Sequence, residues 1–225
     1  LWDNPSIQFL HKRYEKITQD ELMRVRTHTN PFCCRQRFEK QDWKKLFPNF
    51  NCKLDLEIGF GSGTFLKHCA QQNKDHFIVG AEVRKRTVEN LQEQIMDKQL
   101  ENVLLVHGNG TFALEDMFKD KTIDNIFIFH PDPWMKKSHN KRRVINDTLL
   151  TIAQEKLKDG GKIYVSTDVE ELWEEISEVF EQNENFVKTE EETFWTDFYK
   201  TRWNEISKED NRTTHYATYK LKNNV

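Results

Sequence analysis

Four carboxylates and one short glycine loop are the residues whose types and spacing could do chemistry in this chain. Glu57 stands two residues before Gly59-Phe60-Gly61-Ser62-Gly63, and Glu82 comes 19 residues after Gly63. Asp132 lies between two prolines in His130-Pro131-Asp132-Pro133-Trp134, and Asp168 follows Thr167. Glycines at a turn let the backbone approach a ligand with no Cβ in the way. A carboxylate just before that turn suits the cationic end of a ligand better than a pyrophosphate, which wants helix N–H groups and no nearby anion. Glu82 is placed to accept the two hydroxyl protons of a ribose. Asn109, in His107-Gly108-Asn109-Gly110, could both donate to and accept from an adenine edge, although Asn between glycines is also good turn chemistry. Prolines on both sides make Asp132 a preorganised group with little entropy left to lose on binding. Asp168 precedes an acidic helix, where its plainest role is an N-cap.

The elements that must position these groups are legible from residue 53 onward. Lys53–Phe60, His76–Val83, Asn102–Gly108, Ile123–His130 and Lys162–Thr167 read as strands, rich in β-branched and aromatic residues. Helical spacing fills the gaps at Thr64–Gln72, Thr87–Leu100, Phe112–Phe118 and Val144–Leu157, and a further amphipathic helix follows Asp168. This alternation predicts an α/β, doubly wound, mostly parallel sheet. Ligands of such sheets bind outside the carboxyl ends of the strands, where the acids and Asn109 fall. His215–Leu221 alternates and is expected to pair antiparallel at or near the sheet edge. Residues 1–50 read as a basic, partly helical N-terminal extension, and 51–225 as the main domain. Because the chain opens on Leu1, a piece of a longer protein is expected.

The glycine loop also separates two cofactor classes. Nicotinamide enzymes use G-x-G-x-x-G, but Thr64 fills the third glycine's place and Gly63 comes one residue early. The loop instead fits E/D-x-G-x-G-x-G, the pattern of S-adenosylmethionine-dependent methyltransferases.

Composition narrows the classes further. The 225 residues carry 34 Lys/Arg against 37 Asp/Glu, a formal net charge of −3 that alone argues weakly against a polyanion partner. Its distribution reverses that inference. Residues 1–50 hold 10 basic and 6 acidic side chains, and residues 151–225 hold 10 and 17. The densest basic cluster, with Lys136, Lys137, Lys141, Arg142 and Arg143, directly follows the proline-locked loop, where phosphate binding is favoured over a merely solvated run. No apolar run approaches the ~20 residues of a membrane helix, and no signal peptide is read. The four cysteines form no C-x-x-C pair, and no His has metal spacing, so reduced thiols, no metal and a cytoplasmic location are expected.

The segment Pro131-Asp132-Pro133-Trp134-Met135-Lys136-Lys137-Ser138-His139-Asn140-Lys141-Arg142-Arg143, with Glu57-Ile58-Gly59-Phe60-Gly61-Ser62-Gly63 upstream, closely resembles the tRNA (guanine-N7-)-methyltransferases. Arg26-Thr27-His28-Thr29-Asn30-Pro31 is similar to the R-x-H-x-N-P segment of some members, and the likeness runs from about residue 24 to the C-terminus. The resemblance implies a seven-stranded Rossmann-like sheet of the class I methyltransferase type, with an antiparallel C-terminal strand. It implies S-adenosyl-L-methionine as cofactor and tRNA as partner, the acceptor being N7 of guanine at position 46 in the variable loop. Glu57, Gly59, Gly61, Gly63, Glu82, Asn109, Gly110 and Asp132 would bind cofactor, with Asp132 catalytic. Lys136, Asp168, Thr201, Arg202, Asn204 and Glu205 would hold substrate. Ser138, His139, Asn140, Lys141, Arg142 and Arg143 would contact RNA. The family's T-K-F-E-like segment reads here as Thr201-Arg202-Trp203-Asn204, with Glu205 one place late, so either Asn204 or Glu205 fills the glutamate's role. Asp132 and Asp168 are the candidates for stabilising the charge that develops on the methylated base, and a carboxylate there that accepts from guanine N1–H and the N2 amine would select guanine over adenine. Nothing in the sequence requires a partner subunit. Rival readings are a methyltransferase acting on another substrate and a non-catalytic tRNA-binding protein on the same scaffold.

Overall fold

The computed structural model describes residues 29–46 and 53–223. Arg26, Thr27 and His28, most of the 1–50 extension and Cys52 lie outside the described residues. A short helix α1 (Trp43–Leu46) leads into alternating β1 (Lys53–Ile58), α2 (Thr64–Gln72), β2 (His76–Glu82), α3 (Lys85–Asp97), β3 (Val103–His107), α4 (Gly110–Met117) and β4 (Ile123–Phe129). After a 3-10 turn at Lys137–Arg142 come α5 (Asp147–Lys156), β5 (Leu157–Thr167), α6 (Glu170–Glu181) and β6 (Phe186–Thr189). A π-helical turn (Phe194–Phe198), α7 (Arg202–Glu209) and β7 (His215–Leu221) complete the fold. The sheet order is β3-β2-β1-β4-β5-β7-β6. β1 to β5 are mutually parallel, and β7 lies antiparallel between β5 and β6.

Strand alternation explains both layers. Leu54, Leu56 and Ile58 of β1 join the core on one face with Leu114 and Met117 of α4 and Leu149 and Ala153 of α5. The opposite core holds Ile78 and Phe127 with Leu66 of α2 and Leu91 of α3. Asp55 and Glu57 alternate with the three apolar β1 residues and so belong to this second face. There an aromatic cluster (Phe65, Phe127, Phe129, Tyr164, Phe194, Trp195 and Tyr199) docks the π-helical turn against the sheet, with Tyr164 and Phe194 centroids 4.2 Å apart. That docking carries Tyr199 to the end of β4, where its ring meets Phe129 at 4.9 Å.

Several boundaries differ from the sequence reading for local reasons. β5 begins at Leu157, five residues before Lys162, because Leu157 pairs with Ile123 ahead of a register shift. α5 starts at Asp147 because Asn146 caps it, accepting the Leu149 N–H at 3.0 Å. β6 carries only four residues, too few for an alternation to declare itself.

Candidate functional site

β1 and β4 are adjacent but not consecutive in the chain, so the crossovers part there and leave a crevice at their carboxyl ends. Gly59, Gly61 and Gly63 make the turn out of β1, all with positive φ (+78°, +53° and +68°). They serve different ends. A Cβ on Gly59 would meet nothing within 4 Å, whereas one on Gly63 would run into the Leu91 side chain of α3. Gly59 therefore borders open space and Gly63 permits close helix packing. Gly110, the first residue of α4, likewise packs against Ile58.

Glu57 ends up 3% exposed, and its Oε2 has no hydrogen-bond partner. Burial, with the Glu82 charge adding to it, pushes the Glu57 carboxyl up to about 8. Glu82 is the opposite case. Its carboxylate accepts from Gly61 N at 3.1 Å and from Arg84 N, Nε and Nη2, each at 3.0 Å. Arg84 was missed as a site residue, although a basic side chain two places after the key acid is a readable signal. Asn109 caps α4, accepting from Thr111 N at 2.9 Å, and its Nδ2 donates to Pro31 O at 3.3 Å. This turn role leaves one amide hydrogen and one carbonyl lone pair for any adenine. Pro31 belongs to a strap that crosses the β2–β3 end and is anchored by Arg37 Nε to Asp116 at 2.7 Å.

The Pro131-Asp132-Pro133 loop leaves β4 between two residues in the left-handed region, His130 (φ +45°) and Trp134 (φ +46°). Each such residue costs about 1–3 kcal/mol and persists only when its surroundings hold it. His130 N donates to Ser166 O at 2.8 Å, and Arg143 Nε donates to Pro133 O at 2.7 Å. Arg143 is the main correction to the basic run. It is buried, pairs with Glu171 and Glu175 of α6, and serves as a staple for the loop; the chain's own carboxylates neutralise it before any phosphate could. Lys136, Ser138, Asn140 and Lys141 are exposed, with His139 and Arg142 half-buried. Arg142 lies over the Trp134 ring at 4.9 Å, and His139 meets it edge-on at 5.7 Å. The Trp134 ring thus already carries a guanidinium on one face. Partial desolvation, then Arg142, Lys136 and Lys141, push the His139 imidazole below its ordinary range. Asp132 itself is half-buried, and its charge helps hold the Arg84 guanidinium.

Asp168 does not cap α6, whose N-cap position is Val169. Its carboxylate instead gathers four side chains. Trp203 Nε1 spans both oxygens at 3.1 and 3.2 Å, Ser207 Oγ donates at 2.9 Å, His130 Nδ1 lies 3.3 Å away and Arg212 forms an ion pair. Desolvation opposes its ionisation, but the bonds from His130, Ser207 and Trp203 prevail and hold the carboxyl well below the usual carboxylate range. Its roughly four lone-pair sites are filled. A guanine edge would have to displace one of these donors, so the structure makes Asp168 first of all the anchor of α7. Thr201 caps α7, accepting Asn204 N at 2.9 Å. Asn204 is buried and accepts from Thr214 at 3.2 Å, whereas Arg202 and Glu205 are exposed. Glu205 is thus the acid facing outward.

The sequence expectation that no His has a metal partner needs one amendment. Asp55, Cys69 and His76 bring ligand atoms within 4.8 Å of one another at the amino end of the sheet. His76 Nδ1 and Asp55 Oδ2 are 2.6 Å apart, which is a hydrogen bond; two ligands around one tetrahedral zinc stand roughly 3.3 Å apart. Among the described residues, no helix is long and apolar enough to cross a membrane.

The overall fold is shared with solved structures. The 16S rRNA methyltransferase KamB superposes with a TM-score of 0.56 at 14% identity, covering 84% of this chain and 97% of that one. The fold is that of the class I methyltransferases. A family model described as "Putative methyltransferase" matches residues 51–222. A tRNA (guanine-N(7)-)-methyltransferase of Chromobacterium violaceum is 38% identical over 153 residues, 68% of this chain and 67% of that one. The chain belongs to the tRNA (guanine-N7-)-methyltransferase family. A bifunctional methyltransferase of Rickettsia bellii is 33% identical over 188 residues, 82% of this chain. The chain spans only a quarter to a third of the length of the bifunctional relatives it matches.

Proposed function

We propose that this chain transfers a methyl group from S-adenosylmethionine to N7 of a guanine in tRNA, the expected target being position 46 of the variable loop. The observation that carries this reading is Glu57, a buried carboxylate with an unsatisfied oxygen, two residues before Gly59 and its open space. A buried acid held protonated by desolvation ionises readily once a cation is placed against it. S-adenosylmethionine brings an ammonium and an activated methyl group to that point.

The rest is the work of this chain's residues. Glu82 would receive ribose hydroxyls after Arg84 yields its place, and Asn109 has one donor and one acceptor left for a base edge. Guanine N7 carries a lone pair and no proton, so transfer needs alignment rather than a strong general base. The base gains positive charge as the bond forms. Asp132, locked between prolines at the crevice, would stabilise that charge from a fixed position. The exposed Lys136, Ser138, Asn140, Lys141 and Glu205 would edge the same site, and the lysines would hold phosphates. No partner subunit is needed for this scheme, and cytoplasmic tRNA is its substrate pool.

Incubating the protein with labelled methyl donor and unmodified tRNA, then digesting to nucleosides, tests the reading. Labelled 7-methylguanosine is expected. Label in another nucleoside or only in small molecules would replace the substrate assignment, and binding of tRNA and donor without transfer would favour the non-catalytic alternative.

A further inference from the structure

His130 is buried at the end of β4, its side chain 4% exposed, with both ring nitrogens engaged. Nδ1 faces Asp168 Oδ1 at 3.3 Å and Nε2 faces Tyr199 Oη at 2.9 Å. An ionised carboxylate only accepts, so Nδ1 carries the proton and donates. In a neutral ring Nε2 then has only its lone pair, which accepts the Tyr199 O–H. The Tyr199 oxygen stands 2.7 Å from Ser166 Oγ and 3.5 Å from Thr201 Oγ1. Thr201 Oγ1 already accepts the Asn204 N–H, so its own hydrogen points to Tyr199. Donation therefore runs one way, from Ser166 and Thr201 through Tyr199 and His130 to Asp168. This chain of bonds passes through His130, the residue whose φ of +45° launches Pro131-Asp132 from the sheet.

We propose that His130 is a positioning residue for methyl transfer: as the Nδ1–H tautomer it ties Asp168 to Tyr199 and thereby fixes the direction in which the Asp132 loop leaves β4. The kinetic part rests on the function proposed above, whereas the tautomer does not. A strained backbone angle needs over-determination, and a ring pinned at both nitrogens supplies it. The role predicts a loss in turnover rather than in binding, because Asp132 is displaced while the glycine turn and the exposed lysines stay in place.

The test combines histidine ¹⁵N spectra with kinetics on the intact chain. For the neutral ring, a protonated Nδ1 and bare Nε2 are expected, and Tyr199→Phe should shift the Nε2 signal and the Asp132 amide together. An Nε2–H tautomer, or an Asp132 amide unmoved by Tyr199→Phe, would overturn the proposal even if no tRNA is methylated. Where the wild type is active, His130→Ala should lower kcat about 30-fold with KM for tRNA and donor within twofold. His130→Asn, which keeps an N–H near Asp168, should recover about a third of that loss on a logarithmic scale. An unchanged kcat, or a loss confined to KM, would refute the role. Should His130→Ala fail to fold, Tyr199→Phe leaves ring and backbone intact and is expected to lower kcat about fivefold.

Discussion

Two buried carboxylates on opposite halves of the crevice, Glu57 and Asp168, are handled in opposite ways. At the end of β1, Glu57 keeps an oxygen without a partner, and its proton is retained to about pH 8. At the ends of β4 and β5, Asp168 has its oxygens filled by His130, Trp203, Ser207 and Arg212 and stays ionised. An unmet buried acceptor costs stability, so its persistence marks a place kept for a ligand. A saturated one is a fastener. Glu57 is therefore the receptor of the β1–β2 side, where Glu82 is already held by Gly61 and Arg84, and the β4–β5 side is a rigid frame that presents one acid, Asp132.

The largest effect should come from the presented acid. Asp132→Ala is expected to lower turnover on tRNA about 10³-fold, the scale of losing a positioned electrostatic group, with the thermal midpoint nearly unchanged. Near wild-type kcat would show that the β4–β5 side only frames the site. Asp168→Ala should instead destabilise the fold by about 3 kcal/mol, because His130 and Arg212 lose their partner. Denaturant unfolding checks this, and a stable but inactive variant would move Asp168 from fastener to receptor.

Glu57 sharpens the contrast through pH. Its carboxyl is raised in the folded chain, so the native state binds more protons than the unfolded state between the ordinary carboxyl range and about pH 8. Stability falls as pH rises through that window, and the penalty is complete above it. Glu57→Gln should therefore raise the thermal midpoint more at pH 8.5 than at pH 5, with a pH-independent gap as the contrary result. Binding a cationic methyl donor at pH 7 should release close to one proton in the wild type and none in Glu57→Gln, whose affinity drops about 30-fold. Calorimetry in buffers of different ionisation enthalpy reads both. The smallest effect divides the basic run. Lys141→Ala should flatten the log–log salt dependence of tRNA binding by about 0.9, one phosphate contact, with no change in stability. Arg143→Ala should do the reverse, costing about 2 kcal/mol of stability through its lost pairs to Pro133, Glu171 and Glu175.

What could be read in advance follows the same division. Strand alternation and the glycine-acid turn are local patterns, so β1 to β5, β7 and the Glu57 loop were legible. The partners of Asp168 were not, since His130, Trp203, Ser207 and Arg212 come from separate segments that only the folded sheet brings together. Arg143 misled for a related reason. In the sequence it is one of a row of cations, and only the packing of α6 reveals that its charge is turned inward. The π-helical turn escaped because Phe194, Trp195 and Tyr199 match no regular period, yet their rings set the position of Tyr199.

Arg84 has a consequence for affinity. Its guanidinium and backbone already satisfy Glu82 on both oxygens, so an incoming ribose exchanges bonds there and adds few. What the sugar gains at Glu82 is only the difference between two sets of hydrogen bonds. Nucleosides lacking a hydroxyl should therefore be discriminated against less than a vacant carboxylate would allow, and most selectivity for the ligand falls on its charged end, at Glu57.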